Sequence, residues 1–151
     1  MAGRSAEELA AAMRAGCLGA RVARLHRVVA RCYEQALRPL GITRTQAEVL
    51  AELTVARAPV RPGELATLTR LERSSLSRDL AVLRERGWVA VTASSPTGRA
   101  MAVEPTEAGR SVLAGADAAW AAAQADMAAT LGPDATAVLD GWLARLDAAE
   151  A

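Results

Sequence analysis

The chain of 151 residues has room for one domain, or one domain with a helical appendage, and for a core that needs neither disulfides nor a structural metal. Among its apolar residues 37 are alanine and 18 leucine, with one isoleucine and no phenylalanine; this balance favours packed helices, excludes an all-β sandwich or barrel, and the length excludes a large α/β enzyme. All 18 basic residues are arginine, 16 of them set against 9 acids in residues 1–103, whereas residues 104–151 hold 2 against 8, so a basic body suited to a polyanion carries an acidic C-terminal segment.

Ser5-Ala6-Glu7-Glu8 is a capping box, and a helical pattern follows it to about Leu37, with Val22, Leu25, Val29, Cys32 and Ala36 spaced by three and four. Gly16 and Gly19 weaken its start, and Pro39-Leu40-Gly41 stops it. Thr43-Arg44-Thr45-Gln46, a second capping box, opens a helix with Ala47, Leu50 and Leu53 on its apolar face. Ala58 to Arg61 is an extended connector, and Pro62 suits the first position of a third helix ending near Thr69. A fourth runs from about Arg73 to Arg86, with Leu76, Leu80 and Leu83 as its buried stripe and Gly87 as a left-handed stop.

The period then changes from helical to alternating. Trp88 to Thr92 and Arg99 to Val103 read as strands, and Ser94-Ser95-Pro96-Thr97-Gly98 between them is turn chemistry, which predicts a β-hairpin. Thr106 caps a fifth helix reaching about Leu131, Gly132-Pro133 breaks it, and a sixth runs from Asp134 to near Ala149. Leu113, Trp120 and Met127 recur every seven residues in the fifth; Val138, Leu139, Trp142, Leu143 and Leu146 make one wide apolar face on the sixth.

Three helices followed by a twisted hairpin is the winged helix-turn-helix order, so the expected fold is mainly α (α+β), with the N- and C-terminal helices forming a dimerisation base. The expected division is 1–57 for dimerisation and support, 58–105 for the DNA-binding module, and 106–151 for C-terminal dimerisation helices. In that module the fourth helix is the reader. Arg73, Ser74, Ser75, Ser77 and Arg78 cluster outward at its N-terminal end, where free N–H groups and the helix dipole suit phosphate and an arginine can take guanine O6 and N7 together. Arg84 and Arg86 are better placed for phosphates. The alternative for all of these is a solvated basic face.

Leu65-Ala66, the run Arg73-Ser74-Ser75-Leu76-Ser77-Arg78-Asp79-Leu80 and the run Leu83-Arg84-Glu85-Arg86-Gly87-Trp88-Val89 resemble the reader-helix region of the MarR family of transcriptional regulators. The likeness extends upstream to Leu37 through Thr43 and Gln46, and downstream to Thr106-Glu107-Ala108-Gly109, covering about residues 17–150. It implies a triangular homodimer with one winged module per subunit on a near-palindromic double-stranded DNA operator. It further implies repression relieved when a small molecule, phenolic or otherwise anionic, binds between base and wing. His26, the only histidine, reads as a packed or interface residue or, with Arg21 and Arg24, as a candidate effector contact.

The chain departs from the family's pattern in three places. The family's wing-tip Asp-x-Arg is here Thr97-Gly98-Arg99, which keeps the minor-groove arginine without its acidic brace. The Leu-Gly turn before the reader helix is Thr69-Arg70, and the usual short N-cap is Glu72, a poorer cap. A winged-helix dimer that has lost operator binding and acts through small molecules or proteins is therefore a second reading. A thiol-based redox sensor is a third, although the family's sensing position aligns with Gly19 and not with Cys17.

Cys17 and Cys32, 15 residues apart along one helical pattern, are too distant for a disulfide, and Cys32 reads as a small core residue. One histidine and two cysteines make no zinc site, no catalytic set assembles, and no cofactor is expected. With no apolar run of about 18–20 residues and no export signal at the N-terminus, the expected location is cytoplasmic.

Overall fold

Three side-chain caps start helices where the sequence places them. Ser5 and Glu8 close one reciprocal box, Thr43 and Gln46 close another, and the Thr106 hydroxyl accepts from the Gly109 N–H. The computed structural model, which describes residues 3–93 and 101–150, has the helices α1 (Ala6–Gly16), α2 (Leu18–Leu37), α3 (Arg44–Ala56), α4 (Pro62–Thr69) and α5 (Arg73–Glu85). The strands β1 (Val89–Ala93) and β2 (Met101–Pro105) follow, and then α6 (Glu107–Gly115), α7 (Asp117–Leu131) and α8 (Ala135–Glu150). A single 3-10 turn, Arg38–Leu40, follows α2, and Gly41 ends it at φ 72°.

Two patterns that read as single helices are each broken once. Between α1 and α2 the backbone of Cys17 is extended (φ −68°, ψ 111°), and the Arg21 guanidinium turns back to the Ala15 carbonyl at the end of α1. This supplies a cation where the helix dipole leaves exposed carbonyls. Between α6 and α7 the N–H of Ala116 bonds the Leu113 carbonyl at 3.1 Å, a tight three-residue step that resets the helix direction. Ala116 itself is buried.

One core spans the middle of the chain. Leu37, Ile42, Leu50, Leu53, Leu65 and Leu83 are fully or almost fully buried in it, and Val60, Val103 and Ala116 close its edges. The hairpin is antiparallel, with register from Val89 opposite Pro105 to Ala93 opposite Met101. Val60 exchanges two 2.8 Å hydrogen bonds with Val103 on the free side of β2, so the connector before α4 braces the wing. The wing tip, including Thr97, Gly98 and Arg99, lies outside the described residues.

Outside this core α2 packs along α7. The Tyr33 hydroxyl donates to the Gln124 side-chain oxygen, and the Cys32 Sγ lies 4.0 Å from the carbonyl of buried Ala123. No residue of α1 is buried, and none of residues 135–149 in α8 is. Leu9, Met13, Val138, Trp142, Leu143 and Leu146 instead stand in solvent on these end helices. Among the described residues no helix is long and apolar enough to cross a membrane.

Candidate nucleic-acid interface and an adjoining cavity

The α4–α5 pair is joined by a turn that costs backbone strain. Thr69 is buried, and its hydroxyl donates to the Leu65 carbonyl at 2.8 Å. Arg70 then takes the left-handed conformation at φ 52°, which glycine would adopt without penalty. Its guanidinium reaches Asp147 of α8 at 3.2 Å, an exposed pair. Glu72 is the N-cap of α5 and makes no side-chain capping bond, so the first turn of α5 is not shielded by its own cap.

That open end carries the residues singled out from the sequence. Arg73, Ser74, Ser77 and Arg78 are exposed, and Ser75 is half-buried. Arg78 folds back over the turn, its Nε 3.2 Å from the Ser74 carbonyl and its Nη2 3.4 Å from the Ser75 hydroxyl. Arg73 and Ser77 line a groove of about 460 Å³ between the start of α4, α5 and the hairpin, with Leu76, Leu80 and Val91 among its apolar lining. Arg84 lines the same groove three helical turns from Arg73, so a basic group stands near each end of that face.

Arg86 is engaged differently. Its guanidinium donates to the Gly41 carbonyl and lies 4.8 Å from the centre of the Trp88 ring, tying the 3-10 turn to the end of α5. Its position among phosphate-facing residues in the sequence does not reveal this inward contact.

Arg21, Arg24 and His26 are exposed on α2 and line neither this groove nor the second cavity. That cavity, of about 830 Å³, lies between α2, α3 and the α6–α7 junction. Tyr33, Arg44, Glu48, Asp117 and Trp120 line it together with alanines and leucines. Partial burial pushes the Tyr33 phenol above its ordinary value, and the Cys32 thiol beside it adds to the rise. Sequence reading did not assemble this set, because its members come from segments more than sixty residues apart. The available signals were the only tyrosine, an Arg44/Glu48 pair at helical spacing, and a tryptophan within an alanine-rich helix. Both cysteines are free and half-buried. Among the described residues no group of three or more His, Cys, Asp or Glu side chains is placed to hold a metal ion.

The profile of the MarR family matches residues 40–100, from the 3-10 turn into the hairpin. By structure the chain is similar to the transcriptional regulator MosR of M. tuberculosis in complex with DNA, with 31% identity over 89% of this chain and 99% of that one and a TM-score of 0.73. It is also similar to the transcriptional repressor CouR bound to a 23-mer DNA duplex (26% identity, 89% of this chain and 95% of that one, TM-score 0.76). A third similar structure is wild-type MarR from E. coli in its apo form (25% identity, 85% and 96%, TM-score 0.69). No curated protein sequence matches the chain.

Proposed function

This chain belongs to the MarR family of transcriptional regulators, and from that premise we propose that it is a homodimer that reads a near-palindromic operator and represses until a small molecule releases it. The carrying observation is the uncapped N-terminal turn of α5, with exposed Arg73, Ser74, Ser77 and Arg78 at the positive end of the helix. In the proposed complex this end enters the major groove. Arg73 and Arg78 discriminate bases, the three serines let the backbone approach closely, and Arg84 and Arg99 hold phosphates or the minor groove. Arg86, expected from the sequence at phosphates, instead braces the end of α5 against Gly41 and Trp88.

Residues 58–105 form the reading module in this scheme, and segments 1–57 and 106–151 supply support and pairing. The pairing surface is argued from the apolar side chains that α1 and α8 leave exposed, Trp142 being 49% and Leu146 60% accessible. Two copies covering these rows set the half-sites about one helical turn apart, roughly 10 bp. The effector seat is the Tyr33–Trp120 cavity, which touches both the α2–α7 packing and the α3 side of the winged core. A ligand there can bias how the two are held.

Fluorescence anisotropy of the purified protein on its own upstream intergenic DNA and on scrambled DNA, at physiological salt, tests the reading. Tight binding with a large preference for the upstream fragment is expected. A random-sequence selection that enriches no motif, together with equal weak binding to both fragments, would show that the fold no longer reads DNA.

A further inference from the structure

We propose that the Tyr33–Trp120 cavity takes a planar aromatic ligand bearing a positively charged, hydrogen-donating group, and not an anion. The inference rests on the reading of that cavity as the effector seat and specifies the chemistry of its occupant.

The electrostatics of the lining decide the sign. Arg44 is the cavity's only basic group, and its Nη1 already lies 2.8 Å from the Glu48 carboxylate. The start of α3 is a second place where an anion could gather, and it is also filled from within the chain. Glu34 accepts the Arg44 backbone N–H at 3.0 Å, and the Thr43 hydroxyl accepts the Gln46 N–H at 3.2 Å. An anionic ligand would have to share Arg44 with the Glu48 carboxylate beside it, which repels it.

What remains is acceptor-rich. Asp117 makes no ion pair among the described residues, and its carboxylate stands in the first turn of α7, where it offsets the positive helix end. The Tyr33 hydroxyl spends its proton on Gln124 and keeps lone pairs to accept with. Trp120, half-exposed, and Tyr33 add aromatic faces, whose negative π-clouds attract a cation. Small alanine walls at positions 47, 51 and 114 leave room in the cavity for a planar molecule.

Three probes of one shape and different charge test this on the full-length protein: benzamidinium, benzamide and benzoate, titrated by ligand-observed NMR. The expected order of affinity is benzamidinium first and benzoate last, with the two ends separated by about tenfold. Asp117→Asn should remove most of the preference for benzamidinium over benzamide. Glu48→Gln, which releases Arg44, should raise benzoate binding, with circular dichroism confirming that both variants fold. If benzoate binds the wild type best, or Asp117→Asn leaves benzamidinium affinity unchanged, the assigned charge class is wrong while the cavity stays a ligand seat. If no probe binds, or Trp120→Ala leaves all three affinities unchanged, the effector-seat reading falls together with this inference.

Discussion

Arg78 is already held over the residues it is expected to work with, its guanidinium resting on the Ser74 carbonyl and the Ser75 hydroxyl. Such local anchoring limits the rotamer freedom that a base contact would otherwise have to remove. Replacing Arg78 by alanine is expected to cost about 1–3 kcal/mol of operator binding and to relax sequence preference at one base pair per half-site. Equal losses on operator and random DNA would assign it to phosphate contact instead. One residue upstream of the same helix, Glu72 caps nothing and adds a negative charge beside Arg73. Glu72→Ser should therefore raise stability in urea by up to about 1 kcal/mol through a true N-cap, and tighten DNA binding on every sequence. Arg70 shows where reading single residues stopped. Its departure from glycine is visible in the sequence, but the left-handed backbone that makes the departure costly, and its Asp147 partner on a distant helix, come from the folded chain.

At the scale of elements, capping chemistry and period carried most of the fold. The boxes at Ser5 and Thr43, the Pro62 start, the Leu76/Leu83 stripe and the switch to alternation after Gly87 all correspond to elements of the structure. The two helix breaks were harder to see, because neither has a proline and the apolar spacing continues across both. At Ala116 the cause is tertiary: the chain must turn from the winged core onto α2, and a small buried residue permits the step. Thr106 was legible as a helix cap but Gly109 only as part of a likeness, and the structure supplies its reason. The Thr106 hydroxyl meets the Gly87 carbonyl at 2.7 Å, and a Cβ added to Gly109 would stand 2.1 Å from the Trp88 carbonyl oxygen. Gly109→Ala is therefore expected to destabilise the protein by about 2–3 kcal/mol, by forcing α6 off the base of the hairpin. Gly115→Ala, whose Cβ would meet nothing within 4 Å, should instead be neutral or stabilising by up to about 1 kcal/mol. Urea denaturation of the two variants side by side separates the close approach from a general effect of removing glycine.

For the molecule as a whole, a composition with no lysine and a single tyrosine makes Tyr33 an isolated phenol to follow in the alkaline range. The Tyr33 phenol is raised in the folded state, so its neutral form is the one the fold prefers. Its contribution is complete below the ordinary tyrosine value of about 10 and is lost as pH climbs through the folded value. Tyr33→Phe should cost about 1 kcal/mol at neutral pH and flatten the decline above pH ~10, read from thermal melts across that range. A parallel decline in wild type and variant would show that Tyr33 does not carry the alkaline weakness.

The end helices have a different consequence. Helices of 11 and 16 residues with no fully buried side chain among the described residues have little to hold them when alone, whereas the core between them is well packed. In the proposed pair both ends are covered. If the chain pairs as proposed, a subunit without its partner offers proteases its first and last segments, and the lifetime of the regulator in the cell becomes a function of its own concentration.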